Sequence, residues 1–304
     1  MESEKPLVSI IMNCYNSDKF LIEAIESVYR QTYSNWEIIF WDNASSDNSA
    51  NIAKSYDNRI KYYLANETTS LGEARNLAMR NVSGKYVAFL DCDDLFLPEK
   101  LQKQVELLET LKFPMSYGST ITINESGKEI KRFKVKNKSG YIFDQLLSHY
   151  EISMQSVMIR YSYLIEQDLS FLSDLKYCPD YNLFMKIAAR SEVCVVPDFI
   201  GKYRSRKNSL SSQTLDIAPS EIKYTLDYIF KLNPSIKVKY PKQVKFAYAK
   251  VLYYEAINCI NKKSFKEAKK ILNKIVLIKW QYLVIYIALF SPFISRHLLK
   301  ILRR

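Results

Sequence analysis

Three carboxylates fall within four positions at Asp91-Cys92-Asp93-Asp94, directly after the apolar run Val87–Leu90. Crowded acids repel one another, and nothing within that stretch neutralises them. The compensating charge is therefore expected from outside it. Oxygen ligands of this kind suit magnesium or manganese, which are commonly held by one or two carboxylates together with substrate phosphates. Two further polar clusters follow apolar runs in the same way: Asn13-Cys14-Tyr15-Asn16 after Leu7–Met12, and Asp42-Asn43 after Trp36–Trp41.

The rest of the composition narrows the chemistry. Only His149 and His297 exist, which argues against a histidine-based triad or a multi-histidine metal site. The five cysteines, Cys14, Cys92, Cys178, Cys194 and Cys259, are scattered and include no C-x-x-C, a pattern of reduced thiols rather than of a disulfide framework or a zinc site. The turn after the first apolar run contains no glycine, and no G-K-[ST] follows it, which argues against a dinucleotide fold or a P-loop.

The elements that would position these acids alternate. Leu7–Met12, Trp36–Trp41, the stretch IKYYLA and Tyr86–Leu90 are short apolar runs that read as buried strands. Asp18–Gln31, Asp47–Tyr56, the stretch from Ser70 and Pro98–Leu111 read as helices. Ser70 with Glu73 three residues on is a capping-box signature. Strand–helix alternation with fully apolar strands implies a parallel sheet covered on both faces. Ligands of such sheets collect at the carboxyl ends of the strands. All three polar clusters sit at such ends, so they are expected to converge on one rim.

Charge is distributed unevenly over the 304 residues, whose net charge is +12. Residues 1–110 carry 11 basic and 17 acidic side chains, a net of −6. From Ser220 onward there are 18 basic and 4 acidic, a net of +14. FAYAKVLYYEAINCI, NKKS and FKEAKKILNKIVL read as a helical hairpin. Trp280–Ser295 carries no charge and is followed by RHLLKILRR, a basic amphipathic segment. At ~1.5 Å per residue its 16 residues are too short to span a bilayer upright, so an in-plane or re-entrant membrane anchor is expected. The unbroken apolar block favours lipid over nucleic acid as the partner of this basic tail.

In order and spacing, five motifs between residues 7 and 213 resemble the inverting glycosyltransferases of family 2, which have the GT-A fold. They are VSIIMNCYN with the helix ending in QTY, LGEARN, DCDD, PDYNLFMKIA and YRSRKNSLS. The resemblance implies an α/β, Rossmann-like, mostly parallel sheet with helices on both faces over residues 1–215. A helical extension over 216–279 and a membrane-associating tail over 280–304 complete the chain. It also implies site residues. Asp93 is the chief metal ligand, and Asp91 contacts metal or ribose, for a Mg2+ or Mn2+ cofactor. Asp42 meets the nucleobase or ribose, and Asn13, Cys14 and Tyr15 line the nucleoside. Arg75, Arg204 and Arg206 lie near the nucleotide, since guanidinium groups match phosphate geometry. Asp180 is the candidate general base for an acceptor hydroxyl. Asn13 replaces the family's usual proline, Pro179 its usual glutamate, and Arg206 a frequent histidine.

The expected activity is inverting transfer of a hexosyl or N-acetylhexosaminyl group. It runs from a nucleotide sugar, UDP-linked by preference, to a hydroxyl of a glycan acceptor on a polyprenyl carrier. The expected setting is surface-polysaccharide synthesis at the cytoplasmic face of the inner membrane, with no nucleic-acid partner. Two alternatives stay open on the sequence: a nucleotidyltransferase on a related fold, and a non-enzymatic polyanion-binding protein.

Overall fold

The computed structural model describes residues 5–206, 209 and 214–290. The chain folds as two compact units. The first comprises residues 1–143 and 151–209, the second 144–150 and 210–304.

In the first unit the four expected strands form: β1 (Val8–Cys14), β2 (Trp36–Asp42), β3 (Ile60–Leu64) and β4 (Tyr86–Phe89). They pair in parallel in the order β3-β2-β1-β4. Six of seven residues in both β1 and β2 are buried, as continuous apolar runs covered on both faces require. Helices α1 (Asp18–Tyr29), α2 (Ser49–Lys54) and α3 (Leu71–Met79) form the crossovers. Ser70 caps α3 as its spacing predicts, its hydroxyl oxygen accepting from the Glu73 N–H at 3.3 Å. After the two-residue β5 (Leu95–Phe96) comes α4 (Lys100–Leu111), which starts two residues beyond Pro98.

The remaining strands extend the sheet with mixed directions. β6 (Met115–Ile123), β7 (Glu129–Phe133), β8 (Met158–Arg160) and β9 (Val193–Arg204) complete nine strands. Their order is β3-β2-β1-β4-β8-β6-β9-β5, with β7 on β6. β8 is antiparallel to β4 and β6, and β9 is parallel to β6. Leu95 and Phe96 pair antiparallel with Lys202 and Gly201, so the turn that follows β4 is stitched to the end of β9. α5 (Phe143–Ser148), α6 (Tyr161–Glu166) and α7 (Pro179–Ala188) lie between these strands in sequence. The principal core is formed by one face of β1, β2 and β4 with α1 and α4, including Ile10, Leu21, Val28, Phe40, Ala88 and Leu101.

The second unit is helical: α8 (Ala218–Leu232), α9 (Ser235–Lys239), α10 (Pro241–Asn261), α11 (Phe265–Asn273) and α12 (Trp280–Ala288). α10 and α11 are the expected hairpin, joined around Lys263 in the left-handed region (φ 61°). Its core packs Ala256, Ile260, Ala268 and Leu272 with Tyr282 of α12, whose ring stacks on Tyr253 at 5.2 Å. Of the uncharged segment Trp280–Ser295, the described residues form a helix over Trp280–Ala288. Among the described residues no helix is long and apolar enough to cross a membrane. α12 buries Tyr282 and Ala288 but exposes Trp280, Val284 and Ile287, with Leu277 and Phe290 beside them. Residues 291–304, including the basic segment RHLLKILRR, lie outside the described residues.

Candidate active site

The carboxyl ends of β1 and β2 are in register, Cys14 opposite Asp42, and β4 runs out beside β1 into Asp91. The Asp94 N–H donates to the Asp91 carbonyl at 3.0 Å, closing a tight turn that gathers the three acids. Each acid then meets an arginine from elsewhere in the chain. Arg75, 4% exposed on α3, donates from Nη2 to Asp91 Oδ1 at 2.9 Å. Arg206 Nε lies 2.6 Å from Asp93 Oδ2. The backbone N–H of Arg204 donates to Asp94 Oδ1 at 2.7 Å. The compensating charge expected from outside the stretch is thus supplied in part by the fold, through the guanidinium groups of Arg75 and Arg206.

Desolvation still leaves its mark. Burial, and then the Asp91 carboxylate, push the Asp93 carboxyl up, with Arg206 and Arg204 pulling against them. Asp94, 2% exposed, is held well above the ordinary carboxylate range by burial first, then by Asp93 and Asp91.

Asp180 sits in the first turn of α7, after Pro179; the N-cap is Cys178. Asp180 is thus inside the helix rather than its cap. Burial raises its carboxyl, Arg75 and the N–H groups of the turn lower it, and Asp91 raises it further. Arg75 therefore acts on both Asp91 and Asp180, which brings the two acids to one electrostatic neighbourhood although 89 residues separate them.

Other expected site residues are placed differently. Asp42 is fully buried, and its carboxylate accepts from the Ser45 N–H at 2.8 Å and from the Tyr62 hydroxyl at 2.6 Å. One oxygen shapes the turn after β2 and the other ties that turn to β3. Cys14 is 1% exposed, its side chain in the core and its carbonyl accepting from the Asn43 N–H at 2.8 Å. Arg204 is likewise held within the protein. It is 1% exposed and donates from Nε to the Asp93 carbonyl (2.8 Å), from Nη1 to the Glu125 carbonyl (3.2 Å) and from Nη2 to Glu23 Oε2 (2.9 Å). Its guanidinium also lies 4.4 Å from the Phe20 ring centroid. Such a group holds the acidic turn to β9. Tyr15, by contrast, is 53% exposed at the end of β1. Asn13 is half-buried, and its Nδ2 has no hydrogen-bond partner among the described residues.

Asn43, from the second polar cluster, and Glu23, which no motif flags, also matter here. Asn43 holds the loop before α3, its Nδ2 donating to the Thr69 carbonyl at 2.9 Å and its Oδ1 accepting from the Thr69 N–H at 3.1 Å. Glu23 anchors Arg204 from 181 residues away, a pairing for which local spacing carries no signal.

The donor set fits a divalent cation. Asp91 and Asp93 supply hard oxygen ligands and both carboxylates reach solvent, 41% and 18% exposed. Among the described residues no three His, Cys, Asp or Glu side chains form a ready cage. Two carboxylates with room for phosphate oxygens is the arrangement magnesium-type sites use.

Residues 9–164 match the model of glycosyl transferase family 2. The chain belongs to that family. One relative, the Escherichia coli UDP-Glc:alpha-D-GlcNAc-diphosphoundecaprenol beta-1,3-glucosyltransferase WfgD, is 30% identical over 239 residues, covering 77% of this chain and 90% of its own. The chain spans only 29–33% of the length of three rickettsial glycosyltransferases to which it is 32–35% identical. Two solved structures share the fold. Staphylococcus aureus TarS 1-349 in complex with UDP-GlcNAc has a TM-score of 0.59 at 18% identity, over 81% of each chain. The mannosyltransferase PcManGT from Pyrobaculum calidifontis, in complex with GDP-Man and Mn2+, has a TM-score of 0.62 at 16% identity, over 99% of this chain and 86% of its own. This family-2 chain thus carries the GT-A architecture, and the glycosyltransferase reading takes precedence over the nucleotidyltransferase and polyanion-binding alternatives.

Proposed function

We propose that this family-2 glycosyltransferase moves a hexosyl or N-acetylhexosaminyl group, with inversion, from a UDP-sugar to a hydroxyl of a polyprenyl-linked glycan in surface-polysaccharide synthesis. The observation that carries the reading is the tight turn that gathers Asp91, Asp93 and Asp94 at the end of β4, with the buried Arg75 guanidinium 2.9 Å from Asp91. Asp180, in the first turn of α7, feels the charge of the same arginine. The name of the E. coli relative supports the UDP donor and the diphosphoundecaprenol acceptor, and the Mn2+ of the mannosyltransferase complex supports a divalent ion.

Asp93, with Asp91 beside it, would hold that cation, Mg2+ or Mn2+; when bound it neutralises charge developing on the departing diphosphate. Arg206 binds diphosphate oxygens on leaving Asp93, since its guanidinium is partly exposed and suited to phosphate. Tyr15 and Asn13 line the nucleoside. Arg204 and Asp42 act by holding the turns that carry these groups. Asp180 accepts the proton of the attacking hydroxyl; burial raises its basicity and Arg75 keeps the ionised form accessible. The exposed apolar residues of α12 and the basic segment after it rest on an anionic bilayer at the cytoplasmic face of the inner membrane, where a polyprenyl-linked acceptor resides.

The test is a panel of nucleotide sugars with Mg2+ or Mn2+, scoring nucleoside diphosphate release with and without lipid-linked acceptor. Release that needs a UDP-sugar, a divalent ion and acceptor, and disappears in Asp93→Ala, is expected. Turnover without metal, or undiminished in Asp93→Ala, overturns the assignment.

A further inference from the structure

α3 carries Arg75 and Asn76 at consecutive positions, and the two side chains serve different parts of the chain. Arg75 binds Asp91. Asn76 binds the backbone of Phe171 twice: its Nδ2 donates to the Phe171 carbonyl at 2.8 Å, and its Oδ1 accepts from the Phe171 N–H at 3.0 Å. A side-chain amide that exchanges both bonds with one residue copies the pairing of neighbouring strands and fixes position as well as direction.

The contact continues along the first turn of the helix. The Ser70 hydroxyl donates to the Ser173 carbonyl at 2.8 Å. A Cβ on Gly72 would stand 2.7 Å from the Leu172 carbonyl oxygen, so the close approach of this segment requires glycine there. The Phe171 ring lies 5.4 Å from the Arg75 guanidinium and edge-on to Phe89 at 5.5 Å. Phe89 ends β4, two residues before Asp91; Asp180 follows Ser173 by seven residues. One short helix thus grips the strand end that delivers Asp91 and the segment that delivers Asp180.

We propose that α3 is a yoke that sets the separation of the donor-side carboxylate Asp91 and the proton-accepting carboxylate Asp180, and that Asn76 is its positioning residue toward Asp180. The proposal rests on Asp180 being the base. Its physical basis is that reacting groups must meet within a narrow range, and a displacement of about 1 Å can cost about 100-fold in rate. Ligand binding at Asp91 and Arg75 is transmitted through the yoke to the segment that carries the base.

The test uses the full chain and the variants Asn76→Ala, Asn76→Asp and Asp180→Asn. UDP with Mn2+ is expected to slow hydrogen exchange over residues 171–180 in the wild type and not in Asn76→Ala, while calorimetry gives the same UDP affinity within about threefold. With the UDP-sugar and acceptor selected by the panel above, kcat of Asn76→Ala falls about 30- to 100-fold. Asn76→Asp supplies a signature that general loosening would not. Ionised, its carboxylate faces the Phe171 carbonyl without a proton to share. Protonated, it donates there and accepts from the Phe171 N–H as asparagine does. Its activity relative to wild type therefore rises at least tenfold from pH 8 to pH 5.5, a readout that stands even where Asn76→Ala does not fold. Equal slowing of exchange in Asn76→Ala, unchanged kcat, or a ratio flat with pH overturns the yoke. Asp180→Asn separates the two ideas: full turnover in it rejects the base, whereas lost turnover there with unaffected Asn76 variants rejects the yoke alone.

Discussion

Arg206 Nε lies 2.6 Å from Asp93 Oδ2, so the second acid of the D-x-D already has a cationic partner from the far end of β9. A divalent ion and this guanidinium compete for one carboxylate. Arg206→Ala is therefore expected to tighten binding of Mn2+ alone, read by calorimetry or electron paramagnetic resonance. The same variant is expected to weaken binding of UDP with Mn2+ by roughly 10- to 100-fold, since a hydrogen bond to a charged group contributes about 1.5–3 kcal/mol. Weaker binding of Mn2+ alone would reject the competition.

For Asp180, the direction of the shift sets a pH profile. Its folded carboxyl titrates above the ordinary value, chiefly through burial, so the base becomes available only as pH rises past that raised value. The acid limb of kcat/KM should lie above the ordinary aspartate pKa of about 3.9. Asp180→Asn should lose about 100- to 10,000-fold in kcat and the acid limb with it, while UDP binding stays constant.

Asp94 makes a stability prediction of opposite character. A carboxyl whose folded pKa is raised stabilises the fold fully below its unfolded value, about 3.9, and that contribution is lost as pH rises through the folded value. Asp94→Asn keeps the oxygen that accepts from the Arg204 N–H but carries no charge. Its melting temperature should equal or exceed that of the wild type at pH 8, and the advantage should shrink toward pH 4. Asp94→Ala, which leaves that N–H unpaired, should melt lower at both.

The two ends of the Arg204–Glu23 pair are predicted to differ. Arg204 is buried, with its guanidinium bonded to backbone carbonyls and to Glu23, whereas Glu23 is 56% exposed. Chemical denaturation of Arg204→Met should show a loss of roughly 3 kcal/mol or more, from buried carbonyls left unpaired. Glu23→Ala should lose less than about 1 kcal/mol, as exposed ion pairs do.

On α12, replacing Trp280 and Ile287 by serine removes exposed apolar side chains and leaves the buried Tyr282 and Ala288 in place. Co-sedimentation with vesicles containing anionic lipid should fall about tenfold or more without a change in melting temperature, given about 1.5–3 kcal/mol per large apolar side chain withdrawn from water. Undiminished sedimentation would remove α12 from the membrane contact.

Hydropathy runs and a capping pattern determined β1 to β4, α1 and α3, because each is specified by its own side chains: continuous apolar strands buried on both faces, and Ser70 with Glu73 at the start of α3. The same reasoning put three acids at one strand end, since register follows from parallel pairing. What only the tertiary structure decided is which partners those acids and their neighbours take. Asp42 and Cys14 turn inward, Arg204 closes on carbonyls and Glu23, and Arg75 pairs with Asp91. Mixed pairing of β5, β8 and β9 also depends on contacts remote in the chain. The physical reason is the range of the forces involved. Periodicity and capping act within a few residues, whereas a buried charge selects its partner by proximity in space, which local spacing does not encode.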